Sequence, residues 1–83
     1  MTSFQDRMEK LYSSVAEKLV VLPGVDGNEA ERIGMLLADA FPIGPSRPPW
    51  TTKEKFQSEL FKMRSARREL QILAESKLGI KLP

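Results

Sequence analysis

The sequence predicts an all-α fold, a three-helix bundle with a long C-terminal helix and a proline-rich connector before it. Apolar residues recur at helical spacing in three segments, short polar side chains stand where each segment begins, and proline or glycine follows each segment. The length of 83 residues suits one small helical domain, residues 1–83. We therefore expect helices over about residues 4–22, 28–41 and 52–78.

The first predicted helix carries one continuous apolar stripe. Ser3 stands before it as an N-cap, Asp6 follows three residues later, and Pro23 with Gly24 ends the helix. The stripe comprises Phe4, Met8, Leu11, Tyr12, Val15, Leu19 and Leu22. Because these residues recur at helical period, we expect the whole stripe, Leu11 included, to be buried.

The second predicted helix begins at Asp26 or Asn28, since either side chain can accept hydrogen bonds from free backbone N–H groups. Its expected buried face comprises Ala30, Ile33, Leu36, Leu37, Ala40 and Phe41. Pro42 ends it, and the four prolines within residues 42–50 predict a stiff, extended connector. Trp50, at the end of this connector, either folds back onto the core or is an exposed anchor for a partner.

The third predicted helix is the longest. A capping box at Thr51 to Glu54 precedes it, and Gly79 followed by Ile80 is typical of a helix C-terminus. Its main apolar stripe comprises Phe56, Leu60, Met63, Leu70, Ala74 and Leu78, flanked by Ala66 and Leu73. At 1.5 Å per residue this helix is about 40 Å long, longer than either of the other two.

Arg67 falls in the middle of that stripe, where an unpaired guanidinium would be costly. It either pairs with an acidic residue of the first helix, Glu9 or Glu17, or marks the point where the core ends. We favour the second interpretation. The apolar residues beyond Arg67 then need cover from outside the chain, which predicts a homodimer through the third helix or a different partner seated there.

A second face of the third helix points away from the main stripe. Phe61 and Ile72 lie on it, with Arg64, Ser65 and Arg68 between them. Apolar anchors beside arginines predict a docking surface for a protein partner, one of acidic character. The expected partner-binding residues are Phe61, Arg64, Ser65, Arg68, Leu70, Ile72 and Leu73. The plainer alternative is that the second helix covers Phe61 and Ile72, or that both are isolated exposed apolar residues.

The same helix allows a nucleic-acid interpretation. Cations that could neutralise phosphates are Lys62, Arg64, Arg67 and Arg68. A small DNA- or RNA-binding accessory protein is therefore an alternative function, and a self-assembling structural subunit is a second one. The net charge of only +2, and the acidic residues interspersed along this helix, favour the protein partner.

The composition argues against an enzyme. The chain has no cysteine and no histidine, which removes disulfides, thiol nucleophiles and the usual zinc ligands. We expect no catalytic, cofactor-binding or metal site. No apolar run approaches the length of a membrane span, and the N-terminus lacks the apolar stretch of a signal peptide, so we expect a cytoplasmic protein without membrane contact. The expected function is a non-enzymatic interaction module that regulates or bridges a larger partner.

Overall fold

The structure, a computed structural model, describes residues 3–41 and 52–83. These residues form three helices and no strand: α1 over Phe4–Val20, α2 over Gly27–Ala40 and α3 over Lys53–Leu73. A π-helical turn over Ala74–Leu78, called the π turn below, continues α3. The predicted all-α three-helix fold with a long C-terminal helix is confirmed. The predicted connector, residues 42–50 with Trp50, lies outside the described residues.

Each helix begins at a side-chain cap. The hydroxyl or carboxylate of the residue before the helix accepts a hydrogen bond from the backbone N–H three residues later. The pairs are Ser3 with Asp6 at 3.1 Å, Asp26 with Glu29 at 2.8 Å, and Thr52 with Lys55 at 3.2 Å. Thr51, where the predicted capping box begins, lies outside the described residues. The N-cap of α3 is Thr52, whose hydroxyl accepts from the Lys55 N–H.

The helix ends depend on turns and on two glycines. α1 ends at Val20, two residues before the predicted end, because a turn follows in which Val25 N–H donates to the Leu22 carbonyl. Gly24, within this turn, has a φ of 86°. At the other end of the chain Gly79 has a φ of 67°, which favours glycine, and it ends the helical segment at the predicted residue. The sequence predicts a regular helix up to Leu78, whereas the last five residues form the π turn.

The core is built from all three helices and the π turn. Its buried residues are Tyr12, Val15, Ala16, Leu19, Ile33, Ala40, Phe41, Ala66, Leu70 and Ala74. The prediction that the whole α1 stripe is buried is wrong, since Leu11 is 51% exposed and Phe4 is 68% exposed. The four buried residues of α1 are Tyr12, Val15, Ala16 and Leu19. They span about 100° of the helix circumference, and Leu11 lies outside that arc.

α2 and α3 lie antiparallel, and two ion pairs mark their register. Arg32 pairs with Glu69, and Lys62 Nζ lies 3.6 Å from Asp39 Oδ1. Asp39 follows Arg32 by seven residues along α2, and their partners Lys62 and Glu69 are also seven residues apart, in the reverse order, along α3. Both pairs are largely exposed, so each contributes only about 0–1 kcal/mol to stability. They define the side of α3 that faces α2.

The C-terminal part of α3 is covered by the chain itself, which corrects the expectation that it needs external cover. Leu70 and Ala74 have no exposed surface, and Leu73 and Leu78 pack against the core. The chain reverses at Gly79, so that Ile80 and Leu82 also pack there. The Tyr12 hydroxyl donates to the backbone oxygen of Pro83 at 2.7 Å, and Gln71 Nε2 donates to the Tyr12 hydroxyl oxygen at 2.9 Å.

Arg67 follows neither of the two sequence expectations. Its Nε donates to the Ala40 carbonyl at 2.9 Å, and its guanidinium carbon lies 4.4 Å from the centre of the Phe41 ring. The core does not end at Arg67, because Leu70 and Ala74 beyond it are fully buried. Its charge is accommodated by a helix C-terminus and an aromatic ring instead of by Glu9 or Glu17.

Candidate docking face on the third helix

Four exposed side chains form one row along the solvent side of α3. Phe61, Arg64, Arg68 and Ile72 follow one another at spacings of three, four and four residues, so each lies about one turn beyond the last. Phe61 is 73% exposed and Ile72 is 57% exposed. We call this row, together with the adjacent exposed Ser65, the outer face. It points away from both the α2 side and the core side of α3.

The two arginines of the outer face lack ionic partners. Within residues 3–41 and 52–83 neither Arg64 nor Arg68 makes a salt bridge or a side-chain hydrogen bond. The sequence offers no acidic residue three or four positions from either one. Moreover, the two are four residues apart, where like charges repel by a few tenths of a kcal/mol. The outer face thus holds two unneutralised cations between two exposed apolar side chains, at a small local cost to the helix.

Two of the seven predicted partner-binding residues do not belong to this face. Leu70 is fully buried beneath α1 and α2, and Leu73 is half-buried against the core. Leu70 lies in the main stripe and Leu73 beside it, so both are turned towards the chain's own core. The prediction that Leu70 contacts a partner is therefore wrong. The remaining five, Phe61, Arg64, Ser65, Arg68 and Ile72, are all exposed.

The four cations predicted to contact nucleic acid do not form one surface. Arg67 is turned inward to Ala40 and Phe41, and Lys62 lies on the α2 side beside Asp39. Only Arg64 and Arg68 are left on a common face. The charge that a phosphate backbone would meet on this helix is therefore smaller than the sequence indicates.

Sequence reasoning missed an apolar cleft where the α1–α2 turn meets α2 and the end of α3. Its volume is about 90 Å³. It is lined by the apolar Leu19, Leu22, Val25, Ile33, Leu36 and Leu73, with Glu29, Arg32, Glu69 and Lys77 also at its edge. Most of the apolar residues at the cleft belong to the predicted stripes or flank them, but whether a gap is left between those residues depends on how the helices pack.

The π turn explains why Lys77 is found at this cleft. At 100° per residue a regular α-helix would place Lys77 on the buried arc, between Ala66 and Leu70. In the wider π turn each residue adds less than the roughly 100° of an α-helix. Lys77 therefore lies at the exposed edge of the cleft, next to Leu73. Ala74, the first residue of the π turn, is fully buried. The irregular turn thus avoids burying an ammonium group.

Comparisons with protein-family models, with curated proteins and with solved structures found no match to this chain. In the described part of the chain, no helix combines the length and the apolar character needed to cross a membrane. Among the same residues, no group of three or more acidic side chains is arranged to hold a metal ion. The feature of chemical interest is the outer face.

Proposed function

We propose that the protein is a small non-enzymatic interaction module whose outer face binds an acidic protein partner, which it regulates or bridges. One observation carries the proposal: Arg64 and Arg68 have no ionic partner in the described chain and lie between two exposed apolar side chains, Phe61 and Ile72. None of these four side chains is part of the core. Packing of the core therefore does not account for the composition of the outer face.

The composition of the outer face matches what protein interfaces use. Aromatic residues and arginine are enriched among the side chains that carry binding energy, and an apolar anchor contributes most when its surroundings exclude water. The stretch over residues 60–68 contains four cations and no acidic residue. An acidic partner would supply negative charges next to Arg64 and Arg68, and this complementarity would speed association and reject basic partners.

A second copy of the chain fits the outer face less well. If two α3 helices packed antiparallel, with Phe61 of each over Ile72 of the other, the two-fold axis would pass between residues 66 and 67. Arg64 and Arg68 of both copies would then lie within about 4 Å of that axis, measured along the helix. Four cations would be brought together there, because the nearest acidic residue, Glu69, is already paired with Arg32. This repulsion favours an acidic partner over self-assembly.

The test compares outer-face variants with matched controls. The protein and its variants are immobilised and exposed to a cell extract. Quantitative mass spectrometry then measures the fraction of each extract protein that every variant retains. The outer-face variants are Phe61→Ser, Ile72→Ser and the double variant Arg64→Glu with Arg68→Glu. The controls are Met35→Ser on α2, which is 62% exposed, and Arg7→Glu with Lys10→Glu on α1. The two double variants make the same change in net charge.

We expect the outer-face variants to weaken binding of a specific partner by about 2 kcal/mol or more, which is roughly 30-fold. The controls should bind as the wild type does, and all variants should keep its helical circular dichroism. Equal retention by outer-face and control variants would contradict the proposal. Capture of a nucleic acid that depends steeply on salt, and on Arg64 and Arg68 but not on Phe61, would favour the nucleic-acid alternative.

A further inference from the structure

We infer that the partner segment seated on the outer face is an acidic amphipathic α-helix of at least three turns, with two apolar residues 11 positions apart and carboxylates between them. This inference rests on the proposed function and specifies the shape of the partner. It is carried by the spacing of the four side chains along α3 and by the absence of backbone hydrogen-bonding groups on the outer face.

The spacing sets the length of the partner segment. Phe61 and Ile72 are 11 residues apart, which is about 16 Å along the helix axis. Arg64 lies about 4 Å and Arg68 about 10 Å from Phe61 along the same axis. A partner helix places residues 11 positions apart on one face, because 11 steps of 100° come within about 20° of a whole number of turns. Residues four and seven positions along that face would carry the carboxylates, because these positions match Arg64 and Arg68 to within one residue in either direction of the partner helix.

The chemistry of the outer face selects a helix over an extended segment. The backbone groups of α3 beneath the outer face are hydrogen-bonded within the helix. An extended peptide therefore finds no free backbone groups there with which to pair as a strand. Arg64 and Arg68 are donors only, and the Ser65 hydroxyl is the only acceptor among the five side chains. An extended peptide needs about five residues to span about 16 Å. The outer face has too few acceptors for the N–H groups that such a peptide would bury. A helix satisfies its own backbone and leaves its side chains free to meet the arginines.

The probes are two synthetic peptides that differ in helix-forming ability. The first is a peptide of about 19 residues that carries one row of leucine, glutamate, glutamate and leucine at spacings of four, three and four, with alanine and glutamine elsewhere. The second has proline in place of a central alanine, with the same charge and the same leucines. Binding to the full chain is followed by fluorescence anisotropy, and helix formation by circular dichroism of the mixture.

We expect the helical peptide to bind at least tenfold more tightly than the proline peptide and to gain helicity on binding. Arg64→Glu with Arg68→Glu should abolish this binding, and Arg7→Glu with Lys10→Glu should leave it unchanged. Equal binding of the two peptides, still dependent on Arg64 and Arg68, would overturn the helical partner and leave the proposed function standing. If neither peptide binds, the helical partner is also overturned. A different result contradicts the proposed function: in the extract experiment, the outer-face variants retain every specific protein as well as the wild type does.

Discussion

The Nε of Arg67 donates a hydrogen bond to the carbonyl oxygen of Ala40 at 2.9 Å, so a side chain of α3 caps the C-terminus of α2. The last carbonyls of a helix carry a partial negative charge, which the guanidinium neutralises. The same guanidinium lies over the Phe41 ring, whose edge-to-face contact with Tyr12 has a centroid distance of 5.1 Å. Tyr12 in turn holds the backbone oxygen of Pro83. Arg67 thus begins a line of contacts that joins all three helices to the C-terminal segment.

Replacing Arg67 by methionine should lower the free energy of unfolding by about 1–3 kcal/mol. The Ala40 carbonyl would lose its donor and Phe41 its cation, while methionine keeps most of the apolar packing. Urea unfolding followed by circular dichroism measures the loss. Arg64→Met is the control, since Arg64 is exposed without a partner in the described chain, and it should change stability by no more than about 0.5 kcal/mol. Equal effects of the two substitutions would show that the cap contributes nothing.

Two leucines that the sequence pattern treats alike should respond differently to truncation. Leu70→Ala should lower stability by about 2–5 kcal/mol, because Leu70 is fully buried and its removal leaves a cavity. Leu11→Ala should cost less than about 1 kcal/mol, since half of the Leu11 surface already faces solvent. Thermal unfolding of both variants provides the comparison. A larger loss for Leu11 than for Leu70 would mean that α1 is rotated from the orientation described here.

Tyr12→Phe tests the anchoring of the C-terminal segment. The substitution keeps the ring against Phe41 and removes only the hydroxyl that bonds Pro83 and Gln71, so we expect a loss of about 1–2 kcal/mol. Amide hydrogen exchange at Ile80 and Leu82 should become faster in the variant. In combination with Gln71→Met the losses should be less than additive, because the two side chains share one network. Full additivity, with unchanged exchange, would refute the anchor.

Two glycines should have opposite effects when replaced by alanine. Gly34 lies within α2 with open space where a Cβ would be, so Gly34→Ala should stabilise the protein by about 0.5–1 kcal/mol. Gly79 has a φ of 67°, where a Cβ is strained, so Gly79→Ala should destabilise it by about 1 kcal/mol. Melting temperatures report both changes. Stabilisation by Gly79→Ala would show that the chain does not reverse through a left-handed residue there.

Much of the candidate site could be predicted from helical spacing alone. Phe61 and Ile72 lie on the opposite side from the main stripe of α3 in any regular helix, and the structure leaves both exposed. The spacing also placed Arg64, Ser65 and Arg68 beside them. It did not show that Leu70 and Leu73 are covered within the chain, because that cover comes from α1, α2 and the segment after Gly79, which are distant in sequence.

The sequence by itself determined the elements: three helices, the cap at Ser3 and the glycine stop at Gly79, whereas it left the second cap open between Asp26 and Asn28. These features depend on residues within one or two turns of each other, so local spacing and backbone chemistry suffice to predict them. Only the tertiary structure decided which arc of α1 is buried, what Arg67 binds and what covers Leu70. Each of these depends on how the helices are rotated and packed against one another, and an apolar stripe wider than the contact arc is compatible with several rotations.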